Sequence, residues 1–183
     1  MHRTTSATAA SAVAPVVALL TILTLLTSCG NAPADPRADA HEPARASTRT
    51  NARPATASTA FRAMSAQVRT ATLTGTVTAE NDPNHLLGRP GEYTSKVTFS
   101  DSWVQASQVT GAEPGAVERG GAIEAFANPS DAKARADYIR TVTKSSPALA
   151  EYDYVHGSVL VRVSRYLTPK QAAAYETAAA ELD

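Results

Sequence analysis

Glu151-Tyr152-Asp153-Tyr154-Val155-His156-Gly157-Ser158-Val159-Leu160-Val161-Arg162-Val163-Ser164 is the stretch that decides the fold. Two runs rich in β-branched and aromatic residues flank Gly157-Ser158, a two-residue turn with glycine in first place. Val159, Val161 and Val163 alternate inward on the second strand, and Tyr152 and Tyr154 share one face of the first. The segment predicts an antiparallel hairpin. Upstream of it, Asn128 suits a helix N-cap, Pro129 the first helical position, and Asp131 the positive end of the first turn. Ala132, Ala136, Ile139 and either Val142 or Thr143 form the core stripe of that helix, and Ser145-Ser146-Pro147 stops it. Ala122 to Ala127, centred on Ile123 and Phe126, reads as the strand that feeds it.

Further out, Tyr93 to Ser100 alternates, with Val97 and Phe99 inward and Lys96 and Thr98 outward, which predicts another strand. Gln105 to Gly121 holds four glycines and Pro114 and reads as a loop. Asp82-Pro83 opens a short predicted helix that Gly88, in the left-handed conformation, and Pro90 close. After the hairpin, Thr168-Pro169-Lys170-Gln171 is a capping box, and Ala172, Tyr175, Ala179 and Leu182 share one face of a last helix. The expected fold is α+β: a small antiparallel sheet of about four strands, with two main helices on one face, over residues 77–183. Those 107 residues bury a modest core, with one cysteine in the whole chain and so no intrachain disulfide to staple it.

Residues 29–76 have a different composition. Ala, Thr, Ser, Arg and Pro dominate, and between Gly30 and Ala60 there is no Leu, Ile, Val, Phe, Tyr, Trp or Met. Such a segment buries too little apolar surface to offset its ordering entropy, so a disordered linker is expected. As a flexible tether it would span about 35–40 Å. Near its end Phe61, Met64 and Val68 fall at helical spacing and predict a short helix.

Before the linker, His2 and Arg3 lead into the apolar run Val13 to Leu26, which ends in Leu26-Thr27-Ser28-Cys29. An apolar residue and two small ones before a cysteine is the pattern of a lipoprotein signal peptide, with 1–28 removed and Cys29 lipidated. The thiol accepts a diacylglyceryl group as a thioether, and two acyl chains hold a membrane where one is marginal. No charged residue occurs between Thr4 and Ala34, so an uncleaved transmembrane anchor is the alternative, and an ordinary signal with a leftover thiol is another.

The formal net charge is zero, but it divides into +1 up to Cys29, +3 over 30–76 and −4 from Val77 onward. An acidic folded part excludes a general nucleic-acid binder, which needs a basic face. No stretch matches a phosphate-cradling loop, a nucleophile elbow or a zinc-protease helix. His85 and His156 stand at no metal-ligand spacing, so neither metal nor cofactor is expected. The acidic pairs Glu151/Asp153 and Glu113/Glu118 read as solvated charges rather than catalytic carboxylates. Tyr152, Tyr154 and Tyr166 fit an aromatic binding surface or core packing under a helix equally well.

Asp82-Pro83-Asn84-His85-Leu86-Leu87-Gly88-Arg89-Pro90-Gly91-Glu92-Tyr93-Thr94-Ser95-Lys96 resembles the opening signature of a group of uncharacterised bacterial lipoproteins and secreted proteins. Ser130 to Ile139, Glu151 to Tyr154 with Leu160 to Ser164, and Leu167 to Ala172 resemble the same group. The resemblance implies an envelope-exposed domain, with a different residue in place of His85 in many relatives and a cysteine near Glu124 in some. Asn84, Arg89, Tyr93 and Lys96 are the candidate ligand-binding residues, polar groups beside a rigid loop. Arg89 suits a carboxylate or phosphate, unless it and Lys96 pair with carboxylates of the domain. The expected function is a non-enzymatic binding or interaction module, lipid-anchored on the outer face of the cytoplasmic membrane, with an envelope protein or glycan as partner. A small envelope hydrolase, or an inhibitor of one, is the alternative.

Overall fold

A computed structural model describes residues 55–182, which fall within one compact unit, Thr48–Asp183. The signal stretch, Cys29 and the first half of the linker lie outside the described residues. Five strands form one antiparallel sheet: β1 (Ala71–Thr76), β2 (Ser95–Asp101), β3 (Gly120–Ala125), β4 (Glu151–His156) and β5 (Val159–Ser164), in the order β1-β2-β3-β5-β4. Three helices accompany them: α1 (Ala57–Gln67), α2 (Pro129–Ser145) and α3 (Pro169–Ala180). The α+β class and the antiparallel sheet are as expected. The hairpin is too, with Glu151 opposite Ser164 and His156 opposite Val159 around Gly157.

The helices do not all lie on one face, contrary to expectation. The register sets Val97, Ile123, Val161 and Tyr154 in a row across the sheet, and Lys96, Glu124, Leu160 and Val155 in the adjacent row. Successive side chains of a strand point to opposite faces, so these rows serve two different layers. On the first face α1 and α3 pack side by side, and Phe99 lies between Phe61 and Tyr175 with ring centroids 5.7 Å away on each side. On the second face α2 brings Ala132, Ala136 and Ile139 onto Leu160, Phe126 and Tyr93. All six β3 positions are buried, which a strand covered on both sides requires. The chain leaves β3, crosses the second face as α2 and comes down in β4 at the sheet edge, with β5 returning into the gap.

The ordered unit also begins well before Val77. Thr56 and Thr59 cap α1 reciprocally, and Ala57, Ala60, Phe61 and Met64 bury one stripe of it. The predicted short helix is therefore part of the core. β1 follows, pairing Ala71 with Asp101 and Thr76 with Val97 around a bulge at Thr74. Composition misleads here because β1 is an edge strand, where only Ala71 is buried and threonines face water. Small alanines on α1 lie close to the sheet and need no large apolar partner to count as core.

The segment after Asp82 is a knot of turns rather than a short helix. The Asp82 carboxylate accepts from the backbone N–H groups of Asn84, Leu86 and Leu87 at 3.1, 2.8 and 2.9 Å, and from the Tyr93 hydroxyl at 2.7 Å. Those donors would otherwise enter a helical ladder, so the carboxylate competes with helix formation. Gly88 takes the left-handed conformation as expected, with φ 76°.

Candidate functional site

The second face carries a cluster of charges that α2 roofs over. Glu124, in the middle of β3, is fully buried and meets three cations. Lys96 Nζ lies 3.0 Å from its Oε1, Arg162 Nη1 3.1 Å from the same oxygen, and Arg135 Nε 3.2 Å from Oε2. Cross-strand pairing positions the first two: Lys96 sits opposite Glu124 from β2, and Arg162 reaches from the neighbouring strand β5. Arg135, nearly two turns into α2, comes down from above. Burial alone would raise the Glu124 carboxyl, but Lys96, Arg162 and Arg135 outweigh it and hold it below the ordinary carboxylate range.

Arg162 extends the cluster to β4. Its Nε and Nη2 meet Glu151 Oε1 and Oε2 at 2.7 and 3.0 Å, a bidentate pair. Burial works against the charged guanidinium, yet Glu151 and Glu124 together raise its pKa. Asp153, opposite Arg162 in the register, has an enclosed Oδ1 without a partner. Burial, and then the Glu151 carboxylate, push the Asp153 carboxyl up to about 7 against the opposing pull of Arg162 and Arg140. The Glu151/Asp153 pair is thus not a solvated edge charge, because α2 covers the strand face that carries it.

The raised Asp153 has a consequence with a definite sign. The folded chain keeps a proton that the unfolded chain gives up near pH 4, so this residue's stabilising contribution is full below that pH. It is lost as pH rises toward 7. Urea titrations across this range are expected to give an Asp153→Asn variant whose stability declines less with pH than that of the unmodified chain. Parallel pH profiles for the two would show that Asp153 ionises normally.

Beside this cluster a cleft of about 270 Å³ opens between α2, the 3₁₀ turn Val117–Arg119, and the strands β4 and β5. Its charged walls are Arg135, Arg162, Glu151 and Glu118, and its apolar ones include Ile139, Val142 and Leu149. Val142 therefore belongs to the cleft and not to the helix's buried stripe, which ends at Ile139. Tyr138, 61 % exposed, stands on the rim with the Arg135 guanidinium 5.7 Å from its ring centroid. Arg135 and Tyr138 also border a second cleft, formed with Leu86, Gly91 and Glu92 of the Asp82 loop.

The four residues singled out from sequence separate into two pairs. Asn84 and Arg89 are exposed on the Asp82 loop, and Arg89 has no ion-pair partner among the described residues. Tyr93 and Lys96 are not surface groups. Tyr93 is fully buried, donates its hydroxyl to Asp82 and packs edge-on against Phe126. Lys96, turned away from the α1/α3 layer as expected, meets α2's layer and Glu124 instead of water. Tyr152 and Tyr154 share a face and pack against the α1/α3 core, which favours packing over an open aromatic surface. Sequence reasoning missed Glu124, Arg135 and Arg162. The available signal was polar residues at alternate positions in β2 and β5 flanking a lone glutamate in β3, which a second covering helix would have made a charge cluster.

Among the described residues no three His, Cys, Asp or Glu side chains come together as a metal site, and no helix is long and apolar enough to cross a membrane. No protein-family model, no curated protein and no solved structure matches the chain.

Proposed function

We propose that the chain is an envelope lipoprotein, held on the outer face of the cytoplasmic membrane by a diacylglyceryl group on Cys29, whose domain binds a small ligand in the cleft beside α2. The observation that carries the binding reading is Arg135. Its Nε is committed to Glu124, its two terminal nitrogens make no hydrogen bond to a described residue, and the residue borders a concave, partly apolar cleft. An arginine held rigid at its root with its fork open is suited to recognition. The anchoring reading rests on Leu26-Thr27-Ser28-Cys29 and on the resemblance of 82–96 to lipoprotein sequences.

A hydrolase is the second reading, favoured by the adjacency of Glu151 and the raised Asp153. Their surroundings argue against it. Glu151 is locked on Arg162 through both oxygens, and Asp153, with one oxygen enclosed, is not among the residues that line the cleft, so neither carboxylate is placed to move a proton to a substrate there. Asp82 is no better placed as a base, since four donors saturate it. Burial opposes its charged form, but the Tyr93 hydroxyl and the N–H groups of Leu87, Leu86 and Asn84 prevail and hold its pKa at about 2.

Both parts of the reading are open to test. Cys29→Ser in the full chain is expected to abolish labelling by radioactive palmitate and to leave a precursor or a released protein. Labelling and membrane retention equal to the unmodified chain would overturn the anchor. For binding, the full chain in mild detergent is incubated with the small-molecule fraction of envelope extract, washed, and analysed by native mass spectrometry. Compounds retained by the chain and lost from Val142→Trp, which fills the cleft, support the module; identical retention by both overturns it.

A further inference from the structure

Resting on the binding reading, we infer that the cleft beside α2 takes a small zwitterion with an apolar side chain, an apolar α-amino acid in its simplest form. Some charges along the cleft are already answered. Arg162 and Glu151 neutralise each other through a bidentate pair, and Arg162's remaining nitrogen is taken by Glu124. That leaves two open poles. Arg135 keeps two terminal nitrogens unengaged, and Glu118, half-buried in the 3₁₀ turn that borders both this cleft and the one lined by Arg165 and Tyr166, pairs with no cation among the described residues. Glu118 is held in place through its backbone, where its carbonyl accepts the Ser164 hydroxyl at 2.7 Å.

A ligand with a single charge would satisfy one pole and strip water from the other without replacing it, at a cost that grows with burial. A ligand with a carboxylate for the Arg135 fork and an ammonium for Glu118 answers both. Ile139, Val142 and Leu149 supply the third contact, an apolar wall that includes a 36 % exposed valine and a 50 % exposed leucine. Size limits the rest. The cleft's 270 Å³ lies just under the roughly 300–1,000 Å³ of ordinary small-molecule sites, so it fits a single residue rather than a nucleotide or an extended cofactor.

The test titrates the full chain in detergent with L-leucine, with 4-methylpentanoate, which keeps the carboxylate, and with 3-methylbutylamine, which keeps the amine. Calorimetry is expected to show leucine binding about tenfold or more tighter than either half, the loss of one charge-assisted contact being worth at least that. Glu118→Gln and Arg135→Gln are each expected to weaken leucine by a similar factor. Because Arg135→Gln also removes a partner of Glu124, Val142→Trp serves as the variant that blocks the cleft without touching the charge cluster. Absence of leucine binding, or leucine binding that survives both Glu118→Gln and Val142→Trp, overturns the inference. If leucine fails while other extract compounds are still lost from Val142→Trp, the zwitterion falls and the binding module stands. If Val142→Trp changes no retained compound, the module falls as well.

Discussion

Asp82→Ala is expected to lower the unfolding free energy by about 3–5 kcal/mol, a large fraction of the roughly 5–15 kcal/mol that holds a domain of this size. The carboxylate is the acceptor for three backbone N–H groups and the buried Tyr93 hydroxyl, and alanine leaves all four without a partner. Each unanswered buried donor costs about 1–3 kcal/mol unless water reaches it. The loss should propagate, because Tyr93 packs on Phe126 in the core beneath α2. The same carboxylate imposes a pH dependence. Its folded pKa of about 2 lies below the ordinary 3.8, so the folded chain binds fewer protons than the unfolded one between those values. Its contribution, about 2 kcal/mol, is complete above about pH 4 and disappears as pH falls toward 2. Urea unfolding at pH 2.5 and pH 5 measures it. Asp82→Asn should be less stable at pH 5 and show a smaller acid loss, and an unchanged loss would place the acid sensitivity elsewhere.

Glu124→Gln is expected to cost about 3–5 kcal/mol, with the size of the side chain unchanged. The charge, not the shape, is what the site needs. Lys96, Arg135 and Arg162 converge on this one buried carboxylate, and among the described residues only Arg162 of the three has a second anion, Glu151. Removing the negative charge strands cations beneath a helix. Adding Lys96→Met to Glu124→Gln removes one of them and should recover part of the loss, giving a double-mutant cycle with strong coupling. Additive effects, or a single-variant cost under about 1 kcal/mol, would mean that water already screens the cluster.

The elements that sequence made legible are those whose signals are local. Gly157 between two alternating runs specifies the hairpin, Asn128-Pro129 starts α2, and Thr168 with Gln171 caps α3. Side chains within four residues of one another carry those decisions. What sequence concealed depends on a partner far along the chain. Lys96 and Thr98 alternate with apolar neighbours just as solvent-facing strand residues would, and only distant segments make them interior: Glu124 and its partners for Lys96, Thr74 and the Gly115 loop for Thr98. β1, Ala-Thr-Leu-Thr-Gly-Thr, has a single large apolar residue and owes its strand form to β2. Of the cleft, Tyr138 and Val142 were visible only as positions on a helix, with no sign of an opening beside them.

The place of β5 in the sheet bears on the time course of folding. Only β4 and β5 are joined by a two-residue turn; the pairings β1–β2 and β2–β3 enclose 77–94 and 102–119, and β3–β5 encloses 126–158. The hairpin can close on the microsecond scale from local contacts alone, whereas every other pairing must first meet the entropy of a long loop. β5 pairs with β3 only across the connection that contains α2 and β4. The arrangement predicts late commitment, with the hairpin closing first and the docking of this ribbon onto β3 limiting the rate.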